Sequence, residues 1–368
     1  MSRVSFWLFL ILSAWALVGF PPSGAAAFPA EASSLSTPTP PPDDEARARR
    51  WPVQNRFTVP AQGGPNLKGT PLPVWLPPAY PVPWAPTPHD HFFFGRVLPP
   101  SYEDIPILEY RFGAWKPNME RAHGGIDIPA PPGTPVLAIG SGRVIWAGKG
   151  FTFGYPRDDD PYGLAVVIRH DLGWQGHALY SLYAHMKTLD VRPGEWVVQG
   201  TPLGRVGSTG KSDGPHVHLE IRMQRQDEPA RSASLLNPEL WIAPPVGWGV
   251  LVGRLYDDHY HLWNTDAVTL IPLEWTPEVR ALWQGRYSIT THTYARGSGV
   301  SPDPYYHENF ALNNLPAGRY RLVLKLGKYI YQRTVIIYPG RATFFIFAPN
   351  VGIVVQYKSL IVGDDENP

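Results

Sequence analysis

Three short segments lie far apart in the chain: HGGID (His123 to Asp127), YAH (Tyr183 to His185) and HVH (His216 to His218). Between them they hold four histidines and one aspartate, the donor and acid/base types that a hydrolytic zinc centre requires. A fold that unites them is constrained mainly by strand geometry. Residues i and i+2 of a strand share a face about 6.8 Å apart, and HVHLEIRM alternates polar and apolar side chains with period two. This predicts His216, His218 and Glu220 on one face, with Val217, Leu219 and Ile221 in a core. Two imidazoles at that separation do not both reach one ion at about 2.0–2.1 Å without distortion, so one ligand and one acid/base residue are expected from the pair. A straight strand would hold His123 and Asp127 roughly 13 Å apart, while Gly124, Gly125 and Pro129 oppose a helix. A bend through the two glycines is expected to deliver an imidazole and a carboxylate to the same point. The chain has no cysteine, which excludes disulfides, thiolate ligands and a cysteine nucleophile.

The ordered set HxxxD, histidine after tyrosine, and HxH resembles the lysostaphin-type or LytM-type zinc endopeptidases. The glycine framework from Gly133 to Gly148, LYAHM at Leu182 to Met186, and the run from Val191 to Ile221 carry the same resemblance over about a third of the chain. It implies a mainly β fold with a LytM-type antiparallel β-sheet catalytic domain. It also implies that His123, Asp127 and His218 bind one zinc ion, and that His185 and His216 flank the metal-bound water as catalytic acid/base groups. The substrate class implied is peptidoglycan, cut at peptide bonds of its stems or cross-bridges. Relatives that have lost ligands serve as regulators, so a non-catalytic regulator or scaffold of another wall hydrolase is the alternative; the complete ligand set favours catalysis. A binding protein whose working part is the C-terminal region is a third reading.

The rest of the chain suggests extracytoplasmic placement. Arg3, the apolar run Val4 to Phe20, and small residues up to Ala27 have the layout of a secretory signal peptide, 1–27. Retained, the same run would tether the protein to the membrane; no later segment is apolar enough to span one. Residues 29–100 contain 18 prolines in 72 positions, so 28–88 is expected as an extended linker. A net charge of +1 gives no electrostatic case for a nucleic-acid partner. Oligomeric state is not readable.

HDHFFFGRVL (His89 to Leu98) is expected to pack on the catalytic domain, 89–240, with Phe92, Phe93, Phe94, Tyr110, Phe112 and Trp115 as an edge strand or groove wall. An N-terminal segment that blocks the zinc, as in some relatives, is one reading of HDH; ordinary solvated sequence is the other. Asp158, Asp159 and Asp160 read as a solvated hairpin tip, and GSTGKSDG (Gly207 to Gly214) as the turn that aims His216 and His218. His170 and His177 fall outside the motifs. Beyond Asn237 to Gly249, short apolar runs parted by Gly, Pro and Asn predict a small C-terminal β-sandwich over 250–350 and a tail over 351–368. Phe310 to Phe347 resembles transthyretin-like or carboxypeptidase-regulatory-like modules. His259 and His261 form a second HxH without a matching HxxxD, and Trp263, Tyr305 and Tyr306 read as packing or ligand contacts.

Overall fold

Nineteen strands, one short α-helix and two single-turn 3-10 helices are the regular elements of the described part of the chain. It is a computed structural model that describes residues 51–52, 77–102, 104–115, 121–224, 233–283, 286–294 and 299–356. The expected signal peptide, the linker up to residue 76 apart from 51–52, and residues from 357 onward lie outside them. After β1 (Trp51–Pro52), the first half contains β2 (Ile126–Pro129), β3 (Pro135–Leu137), β4 (Gly142–Gly148), β5 (Ala165–Trp174) and β6 (His177–Ala184). It continues with β7 (Met186–Leu189), β8 (Trp196–Val197), β9 (Pro202–Val206), β10 (His216–Gln224) and β11 (Ser234–Leu236). The second half holds β12 (Trp248–Leu255), β13 (Val268–Pro272), α1 (Pro277–Trp283), β14 (Ile289–Thr291) and β15 (Phe310–Pro316). It ends with β16 (Gly318–Leu326), β17 (Tyr329–Ile337), β18 (Ala342–Ala348) and β19 (Gly352–Gln356). Among the described residues no helix is long and apolar enough to cross a membrane.

The first half is organised around β10. One edge of β10 pairs with β6, which continues to β5, β4 and β8; its other edge is shared by β2 and β11. The strands β3, β9 and β7 form a separate antiparallel sheet. Alternation along β10 is as predicted: Val217, Leu219 and Ile221 are fully buried, in a core with Ile126, Ile128, Val166, Ile168, Leu179 and Tyr183. The opposite face carries His218, Glu220 and Arg222, which lie directly across from Ala184, Leu182 and Tyr180 of β6. Directly opposed residues of an antiparallel pair project to the same side. That face is also buried, because Phe151 from the loop between β4 and β5 packs with Ala165, Val167, Tyr180, Leu182 and Ala184 into a second apolar cluster. A period-two pattern predicts a half-solvated strand; the loop makes this one buried on both sides.

The second half is two sheets, β1-β17-β16-β13-β14 and β15-β12-β18-β19, whose apolar side chains share one core. All pairings there are antiparallel except β12 with β18. Strand β12 splits its residues: Leu251 and Leu255 enter this core, while Val250 and Val252 enter the core of the first half. The four-stranded sheet is therefore common to both halves. Strand β19 lies wholly beyond the expected end at residue 350, in the segment expected as a tail.

The proline-rich segment is docked earlier than expected. Tyr80 N donates to Pro244 O (3.1 Å), Val246 N donates to Pro78 O (2.8 Å), and the Trp84 indole donates to Gly340 O (2.8 Å). Extended backbone suits such edge contacts, and Tyr80 and Trp84 stack at 4.6 Å to supply the apolar area. Residues 77–88 thus belong to the folded part. HDH is neither solvated nor directed at the metal-type residues. His91 Nε2 lies 2.8 Å from Asp303 Oδ2, Asp90 accepts from Tyr306 Oη (3.2 Å) and Ala342 N (3.1 Å), and His89 stacks on Tyr305 at 3.9 Å. The segment is a clasp onto the C-terminal half. Trp263 and Tyr306 are buried packing residues, as one of the two readings had it.

Candidate metal centre

Asp127 and His218 are direct cross-strand partners in the pairing of β2 with β10, and His216 stands opposite Pro129. The register alone brings carboxylate and imidazole together: Asp127 Oδ1 is 2.8 Å from His218 Nδ1. His123 enters from the turn before β2, fixed by His123 N to Ala114 O (2.7 Å) and Gly113 N to His123 O (2.8 Å). Its Nε2 lies 2.9 Å from His218 Nδ1 and 3.1 Å from Asp127 Oδ1. The glycines serve differently from the expectation. Gly125 is needed for close approach, since a Cβ there would sit 2.3 Å from Leu219 O, and neither Gly124 nor Gly125 has a positive φ.

The outer partners fix which ring nitrogens face inward. His123 Nδ1 has Arg111 O at 3.3 Å, and His218 Nε2 has Glu220 Oε1 at 3.1 Å. A carbonyl and a carboxylate can only accept, so these outer nitrogens carry a proton and leave the inward nitrogen of each ring to bind either a cation or a second proton. Three electron-rich atoms within 3.1 Å of one another demand positive charge between them. The demand is visible in the titration of the pair. Burial alone would raise Asp127, but hydrogen bonds from His123 and His218 outweigh it and hold the carboxyl far below its usual range. Burial works against a charged His218, yet the hydrogen bonds to Asp127 and Glu220 push it up to about 9. Legs of about 2.0–2.1 Å from a zinc ion span such a triangle, and two imidazoles with one carboxylate are a donor set that zinc accepts. The group His123, Asp127 and His218 could hold a metal.

Glu220 was predicted on this face but not assigned a task. Its second oxygen accepts from Arg222 Nε at 2.6 Å, and Tyr162 Oη donates to the first at 2.9 Å. Burial raises its pKa, but the Arg222 charge and His218 bring it down to about 2. A buried carboxylate behind a metal-facing histidine orients the ring and raises its basicity. Glu220→Gln is expected to weaken zinc binding ~10–100-fold, measured by chelator competition; unchanged affinity would remove Glu220 from any supporting role. The signal was in the sequence, since an acid and an arginine at i+2 and i+4 of a buried strand need one another.

His185 and His216 stand beside the triangle, their rings 4.7 Å apart. His185 lies between β6 and β7, where the chain passes from one sheet to the other, and its φ of 61° is in the left-handed region. Such backbone in a non-glycine residue costs of order 1 kcal/mol and is held by surrounding bonds. Here these are His185 N to Tyr162 O (2.9 Å) and His185 Nδ1 to Thr209 O (2.8 Å). His216 Nδ1 likewise donates to Gly214 O at 2.8 Å. In either ring, when neutral, Nε2 is therefore the atom with the free lone pair, and burial, followed by the His218 charge, lowers His185 to about 4. His216 Nε2 is buried without a hydrogen bond, 3.5 Å from Asp127 Oδ2. The Gly207 to Gly214 loop aims these groups and is stapled by Lys211 N to Pro161 O (2.8 Å) and Leu164 N to Thr209 Oγ1 (2.9 Å).

Tyr110 is the aromatic that reaches the site from the N-terminal side: its ring meets His123 edge-on at 6.1 Å, and its hydroxyl donates to Asp213 Oδ2 at 3.0 Å. Phe92, Phe94 and Phe112 are core residues instead. His170 is buried against Ser181 Oγ (2.8 Å) and Phe94, while His177 caps its own hairpin through Gln175 O (3.0 Å). Asp160 departs from the solvated-tip expectation: it is buried and accepts from Thr152 N (2.7 Å) and Tyr162 N (3.0 Å). His259 and His261 are exposed in a turn whose amides bond Asp257.

Residues 121–230 match the model of Peptidase family M23, so this segment is an M23 domain. Over 148 residues the chain is 40% identical to the DD-carboxypeptidase/endopeptidase Mpg of Neisseria meningitidis serogroup B, covering 40% of this chain and 29% of that protein. It is 31% identical over 114 residues to the peptidoglycan DD-endopeptidase ShyB of Vibrio cholerae, covering 31% of this chain and 23% of the relative. The chain thus spans less than a third of the length of either relative. The catalytic domain of lysostaphin from Staphylococcus simulans aligns with 34% of this chain and 85% of its own at 26% identity, with a TM-score of 0.28.

Proposed function

We propose that this protein is an extracytoplasmic zinc endopeptidase that hydrolyses peptide bonds in the stems or cross-bridges of peptidoglycan. The observation that carries the reading is the triangle of His123 Nε2, Asp127 Oδ1 and His218 Nδ1, with edges of 2.8–3.1 Å, beside two imidazoles whose Nε2 atoms are kept free. A zinc ion bound there supplies a Lewis acid and makes water acidic enough to ionise near neutral pH. His123, Asp127 and His218 would hold it, with Glu220 and the Arg111 carbonyl orienting the two rings. His216 and His185 are placed to act at Nε2, where the ring that takes the proton from the attacking water returns that same proton to the leaving amine. Their Nδ1 bonds to Gly214 O and Thr209 O keep the accepting atom in place before substrate arrives. The name of the Vibrio relative, a peptidoglycan DD-endopeptidase, supports the substrate class, the endopeptidase name of the Neisseria relative supports the reaction, and that substrate implies an extracytoplasmic location.

The test is mass spectrometry of fragments released from purified peptidoglycan by zinc-loaded protein. New amino termini are expected, and they should vanish when a chelator removes the metal. Retention on the wall without any fragment above the chelated control would overturn catalysis and leave the scaffold reading.

A further inference from the structure

The loop from Lys149 to Leu164 is built too firmly for a solvated hairpin tip. Phe153 N and Gly154 N both donate to Gly150 O (3.1 and 2.9 Å), and Gly150, at φ 86°, admits no side chain because a Cβ would lie 1.6 Å from Tyr155 O. The buried Asp160 holds Thr152 N and Tyr162 N, and Phe151 is driven into the cluster on the site face of the sheet, with the Arg222 guanidinium 5.2 Å from its ring. This rigid base displays two large rings to solvent. Phe153 is 40% and Tyr155 56% exposed, with their centroids 6.4 Å apart. The base of the loop adjoins the candidate centre: Phe151, two residues before Phe153, is 5.9 Å from the Tyr162 ring, which is 5.9 Å from that of His218.

The exposed charges of the tip pair with one another, and the remaining carboxylate, Asp160, is buried on loop amides. Lys149 pairs with Asp158, and Arg157 Nε donates to Asp159 Oδ1 at 2.6 Å while the guanidinium lies over Phe153. A fixed, electrically balanced aromatic surface suits an uncharged ligand with a flat apolar face, and a pyranose ring offers one in its axial C–H groups. Resting on the proposed function, the chemistry of the substrate supplies that ligand. A stem peptide of four or five residues spans at most about 18 Å when extended, so a bond held at the triangle keeps its glycan strand within about that distance, on the scale of the loop that carries the two rings. We propose that Phe153 and Tyr155 form a stacking platform for the glycan strand of peptidoglycan, so that the enzyme grips sugar and peptide together.

The test compares wild type with Phe153→Ala/Tyr155→Ala in the zinc-loaded full chain. The probes are chitohexaose, peptide-free glycan strands, intact peptidoglycan and a glycan-free cross-linked stem dimer. Two stacked rings are worth about tenfold in affinity. The double variant is therefore expected to lose about tenfold in glycan retention, and its KM should rise more on intact peptidoglycan than on the glycan-free dimer. Phe153→Tyr/Tyr155→Phe, which keeps both rings, should retain glycan binding. Equal glycan retention by the alanine variant and wild type would overturn the platform, as would equal losses on both substrates. Glycan binding is read without turnover, so a wild type that binds strands through these rings but cuts neither substrate refutes the proposed function and not the platform.

Discussion

Alanine at His216 is expected to lower the rate of peptidoglycan hydrolysis by about 10²–10⁴-fold, the usual contribution of a positioned acid/base group, while zinc content stays near that of the wild type. The two halves of this expectation come from the same geometry. His216 Nε2 is not among the three atoms that face one another at 2.8–3.1 Å, so its removal leaves the donor set intact. Its Nδ1, bound to Gly214 O, makes Nε2 the only atom available for proton transfer. Zinc analysis of the purified variant beside its rate on peptidoglycan separates the outcomes. Loss of metal together with activity would make His216 a ligand and contradict the division of labour within HVH.

That both histidines share one face was legible in the sequence because period two puts them there, whereas the roles expected of each were implied by the resemblance. Other parts were not legible, for identifiable reasons. The Glu220–Arg222–Tyr162 network joins residues of β10 to a loop some sixty positions away, and only folding shows that the polar face of the strand is covered. Three consecutive aspartates read as solvent-seeking, yet Asp160 turns inward because the loop amides of Thr152 and Tyr162 need an acceptor. Proline content gave no sign that residues 77–88 dock, which they do because aromatic residues supply area, as Tyr80 and Trp84 do. The clasp of His91 on Asp303 depends on a contact over more than two hundred residues, for which no local pattern exists.

The carboxylate of Asp127 is the position at which substitution should cost most. It lies opposite His218 in the β2–β10 register and contacts the rings of His123 and His218, so it would supply the negative charge that a divalent cation needs beside two imidazole nitrogens. Asp127→Asn preserves side-chain size and one oxygen but removes that charge. Its zinc affinity should fall by more than the ~10–100-fold expected for a supporting residue such as Glu220, and hydrolysis should drop to the level of the chelated control. A readout independent of turnover is available, because a ligand that binds only the folded state stabilises it by about 2.7 kcal/mol at a hundred times its Kd. Zinc at such a concentration should raise the melting temperature of the wild type and of His216→Ala, but barely that of Asp127→Asn. An equal rise in all three would mean that the cation binds elsewhere, and the triangle would lose its assignment.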